Sequence, residues 1–323
     1  MPTKKTAAPA VKPGALPHDR TNIAYFQRGW VPLVDAKVSI MTHSFLYGTA
    51  VFEGIRAYWN EDQGQLYALR VREHYERLLD SCKILMMDPQ HTVDELVELT
   101  IELLKRNKFR EDAYIRATVY KSTEAIGVKL HGIDCEVNLL SLPFGNYIQT
   151  DNGIHCGTVS WRRTADTSIP SRAKIVGSYV NPAFSKTEAN LNGFEEGIVL
   201  THDGHVSEGS AENLFMVRRG RLITPGVEQD ILEGITRGGI IQLARDILGM
   251  ETEARPIDRS ELYICDEVFL CGTGAQSSPV VSIDHRPIGT GEPGPVTRAI
   301  QKAYFDAVRG RDDRYASWVI PVY

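Results

Sequence analysis

A lysine amine becomes a nucleophile once it sheds its proton, and apolar neighbours favour that by withholding hydration from the ammonium. Lys174 stands among Ala173, Ile175, Val176 and Gly177, with the phenol of Tyr179 five residues on. A surface lysine at a strand end is the plainer alternative for such a segment. The rival Lys186 has Ser185, Thr187, Glu188 and Asn190 beside it, a pattern that reads as a hydrated helix face. Further along, Glu208 lies in the glycine-bounded acidic run Ser207-Glu-Gly-Ser-Ala-Glu-Asn-Leu-Phe215. An amine, a phenol and a carboxylate form the set that pyridoxal phosphate requires: a lysine for its carbonyl, a partner for its ring oxygen, and an acid that keeps its ring nitrogen protonated.

The same cofactor needs phosphate donors, and three segments offer them. Arg77 shares a helical stretch with Arg70, Arg72 and His74, and its planar fork suits a phosphate as well as it suits solvent. Gly234, Ile235 and Thr236 precede an apolar-periodic stretch at residues 240–248, where free amides and the helix dipole favour an anion. Gly272, Thr273 and Gly274 follow the strand expected at residues 267–270, and their amides and hydroxyl suit a phosphate or a substrate carboxylate. Tyr114 and Arg116 fall on one face of a strand because side chains repeat every second residue, and together they could grip a carboxylate or form a cross-strand pair.

These residues need a frame, and the patterning supplies an α+β one, of two-domain α/β type. Residues 24–26 and 30–32 read as a hairpin, as do residues 52–59 with 66–69 across a polar turn. Leu78, Leu79, Cys82 and Leu85 mark a helix at residues 70–85, and the capping box Thr92 to Glu95 opens another. Strands are expected at residues 113–120, 136–143 and 154–161, and a hairpin turns at Asp203-Gly204. Asn181 followed by Pro182 predicts a helix over residues 182–194, and Gly294 opens one at residues 296–308. The expected organisation is a flexible tail at 1–20, a small α/β domain at 21–146, a linker at 147–153 and a large domain at 154–323. A cleft beside that linker is the natural ligand site, with Phe144 and Tyr147 at its edge.

Composition narrows the function. The chain has 323 residues, too many for one ordinary core, and a formal net charge of −5 with both signs dispersed, which offers no surface to nucleic acid. No apolar run approaches the roughly 20 residues that span a bilayer. Five scattered cysteines without a Cys-x-x-Cys pair suggest reduced thiols in the cytoplasm, and nine histidines show no metal-ligand spacing. The leading segment lacks the continuous apolar stretch of a targeting peptide. A Gly-x-Gly-x-x-Gly occurs at residues 289–294, but Pro293 removes an amide where a pyrophosphate would lie and no ribose-binding acid follows, so a nicotinamide dehydrogenase is set aside.

Six motifs in order, spanning about residues 23–308, resemble the branched-chain amino acid aminotransferases of the fold-type IV (class IV) pyridoxal phosphate enzymes. They are Tyr47-Gly-Thr-Ala-Val-Phe-Glu-Gly-Ile-Arg56, Arg72-Glu-His-Tyr-Glu-Arg77-Leu, Tyr114-Ile-Arg116, the acidic run at 207–215, Gly234-Ile-Thr-Arg237 and Gly272-Thr273. The resemblance implies a larger C-terminal pseudo-barrel domain, Lys174 as catalytic lysine, and a cofactor held by Arg77, Tyr179, Glu208, Gly234, Ile235, Thr236, Gly272 and Thr273. It implies that Tyr47, Phe52, Gly54, Tyr114, Arg116, Phe144, Tyr147, Thr273 and Gly274 bind amino acids and 2-oxo acids, Tyr47 across the interface of a homodimer or a higher homo-oligomer, with Arg116 taking the distal carboxylate of glutamate. A buried Arg116 then calls for a nearby carboxylate or a mobile loop when leucine is bound. Ser178, Glu233 and Phe144 depart from the residues common there, and Phe144 bears on the side-chain pocket. The alternatives on the same scaffold are an (R)-selective amine transaminase, a D-amino acid aminotransferase and aminodeoxychorismate lyase; a non-catalytic cofactor-binding protein is a further one.

Overall fold

The computed structural model describes residues 21–145 and 152–323. The expected tail, Tyr147 and most of the expected linker lie outside the described residues. Two sheets organise the chain. The first has seven strands, all antiparallel, in the order Val319–Pro321, Gln65–Leu69, Ala50–Asn60, Ala113–Lys121, Cys135–Pro143, Ile23–Phe26 and Gly29–Pro32. Helices Val71–Ile84 and Val93–Asn107 pack on it, with Leu78, Cys82, Leu96, Leu103 and Leu104 buried against Val51, Ile55, Ile115 and Val119. The Thr92–Glu95 capping box is present, each residue accepting from the other's backbone amide. Along Ala113–Lys121 burial alternates from Ala113 to Thr118, so Tyr114 and Arg116 share the face turned away from that core.

The second sheet has nine strands: Thr252–Ala254, Arg221–Thr224, Asn213–Arg218, Glu267–Gly272, Gln276–Ile283, Ile154–Arg162, Glu196–Leu200 and Val206–Gly209 in order, with Arg286–Pro287 pairing beside Gln276–Ile283. It mixes parallel and antiparallel pairs, and its last strand lies against Asn213–Arg218 near the opposite end, so the sheet curls back on itself. The hairpin across Asp203-Gly204 is formed and sets Val199 opposite Glu208. The last strand of the chain leaves the second sheet's half and pairs with Gln65–Leu69 of the first. Tyr58 and Leu69 accordingly share a core with Phe215, Tyr304 and Trp318, and that apolar continuity joins the two halves.

Two helix starts differ from expectation. The helix expected from Pro182 runs Val180–Leu191, continued from a tight turn at Gly177–Tyr179; Asn181 is not its cap but donates to the Arg162 carbonyl at 2.9 Å. Pro182 fits in the first turn, whose N–H groups have no helical partner. The helix expected at residues 240–248 already begins at Ile235, because Gly238 and Gly239 are accommodated inside it; Gly239 lies where a Cβ would come within 3.3 Å of the Trp318 ring. The glycine-rich turn at 289–294 opens helix Pro295–Val308, whose first amides are taken by Glu267, from Val296 at 3.0 Å and Thr297 at 2.7 Å. An acid of the chain already fills that N-terminus.

Candidate active site

The segment carrying Lys174 crosses between the sheets and is stitched to the first. Phe52 donates its amide to the Lys174 carbonyl at 3.0 Å, Val176 to Ala50 at 2.8 Å, and the Lys174 amide donates to Ser81 Oγ at 3.1 Å. Gly48 and Gly177 make this approach possible, since a Cβ on Gly48 would sit 2.8 Å from the Gly177 Cα. Held in this way, Lys174 Nζ donates to Tyr179 Oη at 2.6 Å and lies 5.0 Å from the centre of the Phe52 ring. Phe52 in turn meets Tyr179 edge-on at 4.8 Å.

Glu208 ends its strand in the interior. Arg163 approaches it at 2.9 Å, Asn213 Nδ2 donates at 3.0 Å and the Leu232 amide at 3.3 Å. Burial pushes its carboxyl up, and Arg163 together with the Leu232 amide opposes that. Arg163 had no signature in the sequence; it reaches Glu208 through the fold alone. Gly234 is also explained here, because a Cβ on it would fall 2.0 Å from Asn213 Oδ1 and displace the amide that holds Glu208.

At a third corner, Arg77 Nε and Nη2 donate to the two oxygens of fully buried Glu53 at 2.7 and 2.8 Å, while Nη1 donates to the Glu233 carbonyl at 2.9 Å. His74 Nδ1 reaches Glu53 at 2.7 Å. Burial alone would raise Glu53, but Arg77 and His74 outweigh it and hold the carboxyl well below the usual carboxylate range. Burial lowers His74, so it meets Glu53 as a neutral donor while Arg77 balances the charge. Beside Arg77 stands the start of helix Ile235–Leu248, capped at Gly234 without a side-chain hydrogen bond. Its first amides and the Gly272-Thr273-Gly274 turn all line the same space.

That space is a cavity of about 660 Å³ between the two sheets. Lys174, Arg77, Tyr179, Glu208, Gly234, Ile235, Thr236, Gly272, Thr273, Gly274, Phe52, Gly54, Tyr114, Arg116 and Phe144 line it. Gly54 lies across from Arg116, and a Cβ there would meet the Tyr114 hydroxyl at 2.5 Å, so the glycine makes room for the phenol. Tyr114 packs on Phe144 at 5.2 Å. No carboxylate pairs Arg116 among the described residues. Its guanidinium instead sits 4.2 Å from the centre of the Phe52 ring and 5.3 Å from that of Tyr114, and aromatic faces stabilise the cation there. Behind them fully buried Arg56 holds the Phe144 and Gly145 carbonyls at 2.6 and 2.9 Å.

Tyr47, expected to act across an interface, lies outside its own chain's cavity: it ends the short helix His43–Tyr47 and accepts from the Gly127 amide at 3.0 Å. One expected placement at this cavity differs. Lys186 does line it, and is not on a hydrated face. Its ammonium lies 2.5 Å from buried Glu196, a partner ten residues away that the neighbouring residues gave no hint of.

Pyridoxal phosphate matches the donors of this cavity: an amine with a phenol, a buried acid, and a guanidinium beside uncapped helix amides, for its carbonyl, ring oxygen, ring nitrogen and phosphate. A site with these four corners defines a class of protein, the pyridoxal phosphate-dependent enzymes. The amino-transferase class IV family matches residues 50–283. A relative from Aquifex aeolicus (strain VF5), described as "Probable branched-chain-amino-acid aminotransferase", is 50% identical over 302 residues, 94% of this chain and 97% of its own length. Among solved structures, the branched-chain aminotransferase of Thermoproteus uzoniensis with norvaline superposes with a TM-score of 0.89 at 41% identity, covering 93% of this chain and 99% of that one. The branched-chain amino acid aminotransferase of Thermobaculum terrenum in PLP-form (holo-form) does so with a TM-score of 0.89 at 37% identity, covering 94% and 99%. The chain belongs to the branched-chain amino acid aminotransferases, pyridoxal phosphate-dependent members of class IV.

Proposed function

We propose that this cavity moves the amino group of L-leucine, L-isoleucine or L-valine to 2-oxoglutarate in two half-reactions, with the roles below. The observation that carries the assignment is Lys174 Nζ on Tyr179 Oη at 2.6 Å, within one cavity that also holds Glu208 and the uncapped helix start at Gly234. Bound pyridoxal phosphate supplies a carbonyl that exchanges its oxygen for the amino group and a ring that draws electrons from the substrate Cα. Lys174 Nζ tethers the group at rest and, once released by the incoming amino acid, carries the Cα proton as base and then as acid. Tyr179 orients the ring oxygen, and Glu208 holds the ring-nitrogen proton. Arg77, Thr273, Gly272 and the amides of Ile235 and Thr236 hold the phosphate.

Tyr114 with Thr273 and Gly274 receives the substrate carboxylate. The aliphatic side chain rests against Phe52, Gly54 and Phe144. Arg116 serves the acidic substrate by leaving the faces of Phe52 and Tyr114 for the distal carboxylate. When leucine is bound those rings keep the cation partnered, at about 1–2 kcal/mol for a desolvated contact, so no protein carboxylate is needed.

The chain acts as a homodimer in this reading, with Tyr47 contributed to the partner's cavity. Ile40, Phe45, Ile126 and Val128 are 66–80% exposed, and the contacts of Gly127 with Tyr47 and His43 bring their two segments together as an apolar face. The small domain spans 21–146 and the large one 154–323, joined by the linker 147–153. The compartment is the cytoplasm, consistent with five unpaired cysteines.

Transfer to 2-oxoglutarate from L-leucine, D-alanine and (R)-1-phenylethylamine, measured in parallel with a Lys174→Ala control, tests the reading. Lys174-dependent turnover of L-leucine alone is expected. Preference for either other donor overturns the substrate assignment, and a control as active as the parent overturns the role of Lys174.

A further inference from the structure

Glu212 is a cavity-lining acid that the proposed chemistry does not use. It is only 6% exposed, yet among the described residues no cation or side-chain donor bonds its carboxylate. Its one hydrogen bond among those residues comes from the adjacent Ala211 amide, at 3.0 Å. The turn is shaped to keep it there: the Gly209 amide donates to the Glu212 carbonyl at 2.6 Å, and a Cβ on Gly209 would stand 2.8 Å from Glu212 Oε2.

Its surroundings come from five elements. On strand Glu196–Leu200, fully buried Glu196 faces it, held by its neighbour's amide at 2.8 Å. From helix Val180–Leu191, Lys186 reaches Glu196 at 2.5 Å and also donates to the Glu195 carbonyl at 2.6 Å. Glu208 faces it from its own strand, and Cys156 and Cys271 from strands Ile154–Arg162 and Glu267–Gly272. Two buried acids, Glu208 and Glu212, thus line the cavity with Lys186, the buried Glu196 lies behind that lysine, and Arg163 pairs with Glu208. Each added negative charge in such a set strengthens the hold of its neighbours on a proton.

We propose that Glu212, backed by Glu196 and Lys186, is a positioning residue for the cofactor that sets how firmly Glu208 holds the ring-nitrogen proton. This rests on the ring-nitrogen role given to Glu208 above. Burial, with Glu196 beside it, pushes the Glu212 carboxyl up to about 8, so it is neutral below that pH and anionic above. The sign follows: ionisation of Glu212 adds negative charge near the ring and holds the ring-nitrogen proton more tightly in mild alkali. Lys186 favours that ionisation by balancing the charge of Glu196, which keeps it within reach of ordinary pH.

The test is a pH titration, from 6 to about 10, of the visible absorbance band of the bound cofactor in the holoenzyme. The parent should titrate in two overlapping steps. Glu212→Gln, neutral at every pH, should titrate in one, its midpoint lower by on the order of one pH unit for a charge acting across a partly polar interior. Lys186→Met should move the Glu212 step to higher pH, and it carries the test if the glutamine variant yields no soluble holoenzyme. Glu208→Gln is the control for the underlying reading, and must itself displace the band or its midpoint. If Glu208→Gln does so while Glu212→Gln or Lys186→Met titrates as the parent does, the positioning role is wrong and the ring-nitrogen role stands. If Glu208→Gln also leaves the titration unchanged, the ring-nitrogen role fails, and the inference with it.

Discussion

Glu53→Ala removes the carboxylate that holds Arg77 through two bonds and His74 through a third. Both sides of the pair are inside, Glu53 fully and Arg77 with a side chain 13% exposed, so a cation is left without its anion in a poorly solvated place. Breaking a buried pair from one side destabilises by about 3–5 kcal/mol. If Arg77 binds the cofactor phosphate, the holoenzyme has a second anion to offer the freed guanidinium, and charge-assisted bonds of about 1.5–3 kcal/mol can form there. Part of that is lost in re-ordering a side chain with about 2 kcal/mol of rotamer entropy. The holoenzyme should therefore lose less stability than the apoenzyme, by on the order of 1 kcal/mol. Urea titrations of both forms, followed by circular dichroism for parent and variant, measure the difference. An equal or larger loss in the holoenzyme would refute the idea that Arg77 meets the phosphate, and a loss below about 1 kcal/mol in the apoenzyme would refute the buried-pair argument itself.

Other consequences are as specific. Arg116→Gln should raise KM for glutamate about 10- to 100-fold, the loss of one charged hydrogen bond, while the leucine half-reaction changes little; equal losses for both would place Arg116 outside the distal-carboxylate role. Gly54→Ala should displace Tyr114, whose hydroxyl would lie 2.5 Å from the new methyl, and lower kcat/KM for every substrate with a normal cofactor spectrum. Stability should fall as the pH drops below about 6.5, because His74 is held neutral in the fold but takes a proton once unfolded. A further fall should begin below about 4.3, where the unfolded chain protonates the carboxyl that Glu53 keeps ionised in the fold. Denaturation midpoints between about pH 2.5 and 8 check both; a curve flat from pH 8 to 5 contradicts the reading of His74.

Much of the frame was legible because it is local. The alternation at residues 113–118, the Thr92 capping box and the Asp203-Gly204 turn each declare themselves within a few residues, and all three formed. The motifs likewise pointed to the segments that line the cavity. Contacts between distant segments were hidden. Glu53 stood in view inside Phe52-Glu-Gly-Ile-Arg56, but its partner Arg77 comes from another element, 24 residues on. Lys186 looked solvated because Glu196, which pairs with it, follows on a strand rather than on the same helix. Arg163 and the final strand Val319–Pro321 belong with segments far away in sequence, and no periodicity reports that. The early start at Ile235 was masked by Gly238 and Gly239, weak helix formers that packing against Trp318 accommodates.

If Lys174 carries the proton between substrate and cofactor, in a cavity that serves both a branched aliphatic acid and glutamate, a single-turnover experiment on the holoenzyme shows it. L-leucine added without an acceptor should convert the carbonyl form of the cofactor stoichiometrically into its amine form, read as loss of the visible band, and 2-oxoglutarate added afterwards should restore the band. Lys174→Ala should bind the cofactor yet complete neither conversion. A parent enzyme whose band is unmoved by L-leucine, or a Lys174→Ala variant that converts at the parent rate, would contradict the account.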